Sequence, residues 1–218
     1  MIKKKLILFL SLLITINCFS QKNKSNDKTI AITIAPLYTI DFTDGSSLRL
    51  GLDYIPSNNF LLSLETGTYI INQNFNKINP KGFLIKPSVN YSISKDEYKT
   101  QYIGIEYMYK KQNYDVRDSL KVNDIKSNNQ YNINRNVHTV SLKYTLRESL
   151  GTHFYYDFNF GLGVRFINSK SNLSEQEVDG ILDSEINGAT QAQGLINDIG
   201  KLVYPNLILN FKLGYFLF

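Results

Sequence analysis

Between His153 and Phe166 the chain reads HFYYDFNFGLGVRF, with apolar and polar positions alternating almost one by one. Phe154, Tyr156, Phe158, Phe160, Leu162, Val164 and Phe166 share one face, and Tyr155, Asp157, Asn159, Gly161, Gly163 and Arg165 share the other. A period of two means a β-strand with one greasy and one wet face. At ~3.3 Å per residue it reaches roughly 45 Å, more than twice an ordinary strand. Tilted by ~45°, such a strand crosses a ~30 Å hydrocarbon layer, and its polar face must then look at something other than lipid. The stretch is expected to be one stave of a closed barrel.

The same alternation predicts seven more strands: Thr29–Phe42, Ser47–Tyr54, Phe60–Ile70, Phe83–Tyr91, Tyr102–Tyr109, Val137–Arg147 and Tyr204–Phe218. Pro36 lacks a ladder donor and weighs against the first of them as a fully paired strand. Asp44-Gly45, Pro56-Ser57-Asn58-Asn59 and Pro80-Lys81-Gly82 read as turns. Three of the four odd connections (43–46, 71–81, 111–136 and 167–203) are long, whereas the even ones (55–59, 93–99 and 148–152) are all short. A soluble sandwich has no reason to sort its loops by parity. A bacterial barrel with both termini in the periplasm does. The expected fold is all-β: an eight-stranded antiparallel up-and-down transmembrane β-barrel.

The start of the chain carries a different pattern. Lys3, Lys4 and Lys5 precede the apolar run Leu6–Ile16 and the segment Asn17-Cys18-Phe19-Ser20, which reads as a secretory signal cut before Gln21. The division expected is a signal peptide at 1–20, a polar periplasmic leader at 21–28 and the barrel at 29–218. The single cysteine, Cys18, leaves with the signal, so no disulfide is expected. Ile16 and Asn17 make a poor site for lipid attachment at Cys18. The formal charge of +5 falls to +2 without residues 1–20, which hold three lysines and no acid. The basic balance is therefore no sign of nucleic-acid binding. Fifteen Tyr, thirteen Phe and no Trp is a high aromatic content for a chain of mean hydropathy −0.21. Barrels produce that combination because each lipid-facing residue alternates with a polar one.

The Gly-interrupted strand FNFGLGVRF (158–166) and the terminal strand NLILNFKLGYFLF (206–218) resemble those of the small eight-stranded outer-membrane barrels, the OmpA- and OmpX-like transmembrane domains. The resemblance covers residues 29–218 and lies in pattern rather than in a sharp signature. It implies a monomer in the bacterial cell outer membrane, among outer-membrane lipid and lipopolysaccharide. It also implies a terminal aromatic signal, Tyr215, Phe216 and Phe218, read by the barrel-assembly machinery. The usual ending puts the last Phe on the lipid face. Here Tyr215 and Leu217 hold that face and Phe218 falls out of phase.

Ten inward positions collect charges: Arg49, Lys86, Lys143, Arg147, Arg165 and Lys212 against Asp53, Glu65, Glu106 and Asp157. Ionisable groups at membrane depth must pair or meet water, and eight strands enclose a space just wide enough for side chains to fill. A packed network of salt bridges is expected, with Gly51, Gly67, Gly104, Gly161, Gly163 and Gly214 making room for the long cations. The competing reading is a narrow pore for small anions. An outer-membrane lipid-modifying enzyme is the third, and it lacks a nucleophile. His138 and His153 belong to opposite ends of the barrel, and Ser141 points away from His138. Asp179–Glu185 lacks the alternating carboxylates of a calcium loop. Ser174-x-x-Glu177 is a weak capping box. No catalytic centre, cofactor or metal site is expected. The duty is instead assigned to the loops 111–136 and 167–203, as recognition surfaces for a ligand or partner protein.

Overall fold

The computed structural model describes residues 29–37, 46–71, 77–96, 98–122, 125–179 and 199–217. It is a closed barrel of eight strands: β1 (Thr29–Ile34), β2 (Ser46–Ser57), β3 (Phe60–Ile71), β4 (Ile78–Lys95), β5 (Lys99–Val122), β6 (Ile125–Leu150), β7 (Phe154–Ser171) and β8 (Gly200–Phe216). Each strand pairs antiparallel with its neighbours in sequence, and β1 closes the ring against β8 from Ala31↔Phe216 to Ile34↔Leu213. One end, here the turn end, holds Thr29, Leu217, the tight turns at 58–59 and 151–153, and Asp96 and Tyr98. The other is the hairpin end. The expected signal and leader, residues 1–28, lie outside the described residues, as does Phe218.

The parity read from the sequence is the parity of the wall. Leu207, Leu162 and Leu142 are 75%, 69% and 64% exposed on the outside. Inward neighbours such as Asn206, Asn210, Ser141 and Lys143 are buried. At the closing seam the described pairing is short, Thr29–Ile34 against β2 and Ala31–Ile34 against β8.

Three expected boundaries are corrected. β1 ends at Ile34, where Pro36 starts a 3₁₀ turn with Leu37, and the remainder of the first strand expected, 38–42, lies outside the described residues; Ala35 N–H still donates to Arg49 O at 3.2 Å. Residues 111–136 are not a loop: β5 and β6 pair without a register shift from Lys99↔Glu148 to Val122↔Ile125, leaving only 123–124 between them. Likewise 167–171 and 200–203 are strand, so the connection expected at 167–203 spans only 172–199. Inside it the Ser174 capping box does form. Ser174 N–H and Oγ–H donate to Glu177 Oε2 at 2.8 and 2.7 Å, opening a short helix α1 (Glu175–Asp179). Those donors hold the Glu177 carboxyl below its usual range.

The physical reason for the missed strand is an inversion of sides. Above the greasy wall, outward positions become Asn113, Asp115, Asn132 and Asn134, which bond to one another across the ladder, Asn113 Nδ2 reaching both Asn132 and Asn134 Oδ1 at 2.8 Å. Inward positions become Tyr114, Val116, Tyr131 and Ile133, a buried apolar cluster with Leu173 and Ile199 packed against it. A second cluster, Met108, Val137 and Ile167 with Leu202 and Tyr204, lies below it inside the barrel. Polar-out and apolar-in is the pattern of a strand in water.

Candidate functional site: the bridged barrel interior

The lumen is crossed by side chains at two levels. Near the turn end, register sets Arg147 of β6 opposite Asp157 of β7, and Asp157 opposite Lys212 of β8. Arg147 grips Asp157 with two parallel bonds, Nε to Oδ1 at 2.7 Å and Nη2 to Oδ2 at 2.8 Å. Its Nη2 also reaches Asp53 on β2, the strand diametrically across the ring. Tyr155 donates its hydroxyl to Asp53 Oδ2 at 2.9 Å, and the guanidinium lies 3.8 Å above the Tyr155 ring. Phe216 closes this level from below, its ring 4.6 Å from that of Tyr155.

The second level is centred on Glu65. Lys212, Lys86 and Arg49 approach its carboxylate at 2.7, 3.5 and 3.7 Å. Glu106 joins the same chain through Lys86 at 3.1 Å and Lys143 at 3.2 Å. Lys143 Nζ also donates to Ser88 Oγ at 3.0 Å. Higher still, Asn206 Nδ2 donates to Ser141 Oγ at 3.1 Å, and Arg165 Nη2 donates to Asn206 Oδ1 at 2.9 Å. Nine of the ten inward charges expected from the sequence are buried; Arg165 is half-buried. Taking each charge from water costs several kcal/mol, and strong pairing only offsets that cost. The arrangement therefore serves uniqueness more than net stability. Seven of the eight strands, all but β1, carry a charge that fits one set of partners, which pins the register of the ring.

The glycines differ from expectation. At Gly67 a Cβ would sit 2.8 Å from Arg49 Cγ, so a cation does use that space. Gly214, directly opposite Tyr155, instead provides the floor for an aromatic ring, and any Cβ there would enter it. Gly104 and Gly163 lie under Asn90 and Ser141, whose side chains are short. Most of the room made is for packing at close strand approach.

Sequence reasoning missed Lys77, Lys110, Gln112 and Arg135, all buried toward the hairpin end. Lys77 Nζ and the Arg135 guanidinium flank the Tyr114 ring at 4.8 and 5.7 Å. The signal was present: the period of two runs on through Gln112, Tyr114 and Val116. At the chain terminus, Tyr215 is on the outer face, whereas Phe216 points into the barrel. The register is regular through both, with no bulge. The histidines sit apart: His138 Nδ1 shares a 2.7 Å bond with Tyr107 Oη on the outer wall, and His153 stacks on Tyr215 at the turn end. Among the described residues no three His, Cys, Asp or Glu side chains gather as a metal site.

Neither a protein-family model nor a curated protein matches the chain. Among solved structures it is similar to the N-terminal β-barrel domain of Pseudomonas aeruginosa OprF, at 10% identity and a TM-score of 0.43 over 88% of this chain and all of that one. Strand order and register alone make the chain a closed eight-stranded barrel.

Within that barrel the contacts have a chemical consequence. Arg147–Asp53, Tyr155–Asp53 and Lys212–Glu65 join strands that are not neighbours, so they lie across the path a solute would take. The interior is a strut.

Proposed function

We propose that the protein is an integral outer-membrane barrel with a filled polar interior, which holds the stiff β5–β6 hairpin at the cell surface as a recognition element. The observation that carries this is the reversal of sides. Exposed apolar residues encircle the barrel where soluble proteins avoid large greasy patches, while charges fill its interior. Above that belt the same two strands turn polar outward, as a segment leaving lipid for water does. The recognition surface is then the hairpin beyond about residue 113 together with the β7–β8 connection, rather than two free loops. The reading is non-enzymatic, supported by the separation of the two histidines. It places the partner, a ligand or another protein, on the hairpin rather than in the lumen.

The test is electrophoretic mobility of detergent-folded protein, boiled against unboiled, followed by planar-bilayer conductance. A heat-shifted band without steady conductance supports the reading. Discrete, anion-favouring steps would replace it with a pore. A protein that needs no detergent and shows no heat shift would remove the membrane assignment altogether.

A further inference from the structure

The outer wall changes chemistry between two adjacent rows of residues. One row, read across the ladder from β5 to β8, is Tyr109, His138, Phe166 and Val203. The next row toward the hairpin end is Lys111, Asn136, Asn168 and Lys201. Lys81, opposite Asn113, is a diagonal neighbour of Lys111; Lys170, two residues beyond Asn168, is a diagonal neighbour of Lys201. All four lysines are exposed. They form two cation couples, one on β4–β5 and one on β7–β8, with the amides of Asn136 on β6 and Asn168 on β7 between them. Like charges placed diagonally across a ladder repel, and no carboxylate among the described residues forms a salt bridge with any of the four. At the turn end, by contrast, Lys99 pairs with Glu148 at 3.6 Å.

We infer that this band is a docking surface for a lipid whose headgroup carries phosphates, with its acyl chains lying on the apolar wall directly below. The inference rests on the outer-membrane reading above and adds the partner of the wall. Three features point to a lipid. The cations border an apolar belt continuous with them. They face outward from the barrel rather than along the hairpin. The asparagines between them offer donors to phosphate oxygens without adding charge. A phosphate between each couple removes the repulsion that the bare wall would carry.

The experiment is native mass spectrometry of the full chain released from micelles containing diphosphoryl lipid A, monophosphoryl lipid A or phosphatidylcholine. Wild type is expected to retain diphosphoryl lipid A at least about tenfold better than phosphatidylcholine, since each lysine near an anionic headgroup layer contributes severalfold. A variant with Lys81→Gln, Lys111→Gln, Lys170→Gln and Lys201→Gln, checked for folding by its heat-shifted band, is expected to lose that preference. Lys95→Gln with Lys99→Gln, at the other end, is expected to keep it. Equal retention by the quadruple variant, or indifference of the wild type to phosphate, overturns the docking surface while leaving the membrane assignment standing. Failure of the wild type to enter bilayers removes both.

Discussion

Arg147→Ala tests the strut most directly. The change removes the two bonds to Asp157, the bond to Asp53 and the guanidinium lying on Tyr155. Two buried carboxylates then face each other, with the Tyr155 hydroxyl and Lys212 still nearby. Breaking a buried ion pair from one side costs ~3–5 kcal/mol. The cation–π contact contributes up to ~2 kcal/mol, but both belong to one side chain and do not simply add. A loss of about 4 kcal/mol is expected, or roughly a thousandfold in the folding equilibrium. With a urea slope of ~1–3 kcal/mol per molar, the midpoint should fall by between about 1 and 4 M. The assay is a urea titration of protein folded into vesicles, read by the heat-shifted band. Lys99→Ala is the internal control: its partner Glu148 sits at 3.6 Å on a solvent-facing edge, and such pairs contribute ~0–1 kcal/mol. A cycle with Asp157→Asn should show coupling above ~1 kcal/mol. If Arg147→Ala shifts the midpoint no more than Lys99→Ala does, the interior network is not what holds the ring together.

Leu162→Arg, in the middle of the exposed wall, should cost about 2–4 kcal/mol in a bilayer; vesicle unfolding that is insensitive to it argues against lipid at that height. Gly214→Ala pushes a methyl into the Tyr155 ring and should destabilise by ~1–3 kcal/mol, with Tyr155→Ala restoring part of the loss in the double variant. Ile133→Ala hollows the cluster above the barrel at a cost of ~2–5 kcal/mol. Its effect should be local, seen as faster amide exchange over 113–134 with the band shift of the barrel unchanged.

The wall strands were legible because their outward residues had to be greasy. From Leu48 to Tyr54, Phe83 to Tyr91, Tyr102 to Tyr109 and Phe154 to Phe166, each side chain went to the side its parity predicts. The reading failed where the surroundings change. Past Lys111 the sides exchange, Asn113 and Asp115 facing out and Tyr114 and Val116 facing in, as in a strand surrounded by water. A search for outward grease reads that as loop, although the alternation never stops. The interior charges were legible as a set but not as pairs. That Arg147 meets Asp53, 94 residues away, depends on ring closure bringing β2 opposite β6. Period-two patterns give the side a residue faces, not its height along the axis. The use of Gly214 as a floor for Tyr155 was hidden for the same reason, since it needs the β7–β8 register.

The unbroken pairing of β5 with β6 also has a mechanical consequence. From Ile105 to Val122 and from Ile125 to Leu150 there is no glycine, no proline and no slip in register. Nothing in that ribbon can serve as a hinge between the wall and the tip. The eleven steps from Lys111 to Val122 span roughly 36 Å of contour, so rocking the barrel by about 10° swings the tip through roughly 6 Å. Transmembrane helices answer a change in bilayer thickness by tilting, and a rigid barrel seated in a bilayer, as proposed above, has the same freedom. The hairpin is therefore a pointer fixed to the wall, and in the outer-membrane setting proposed above its tip would convert the thickness of the surrounding bilayer into a displacement at the surface.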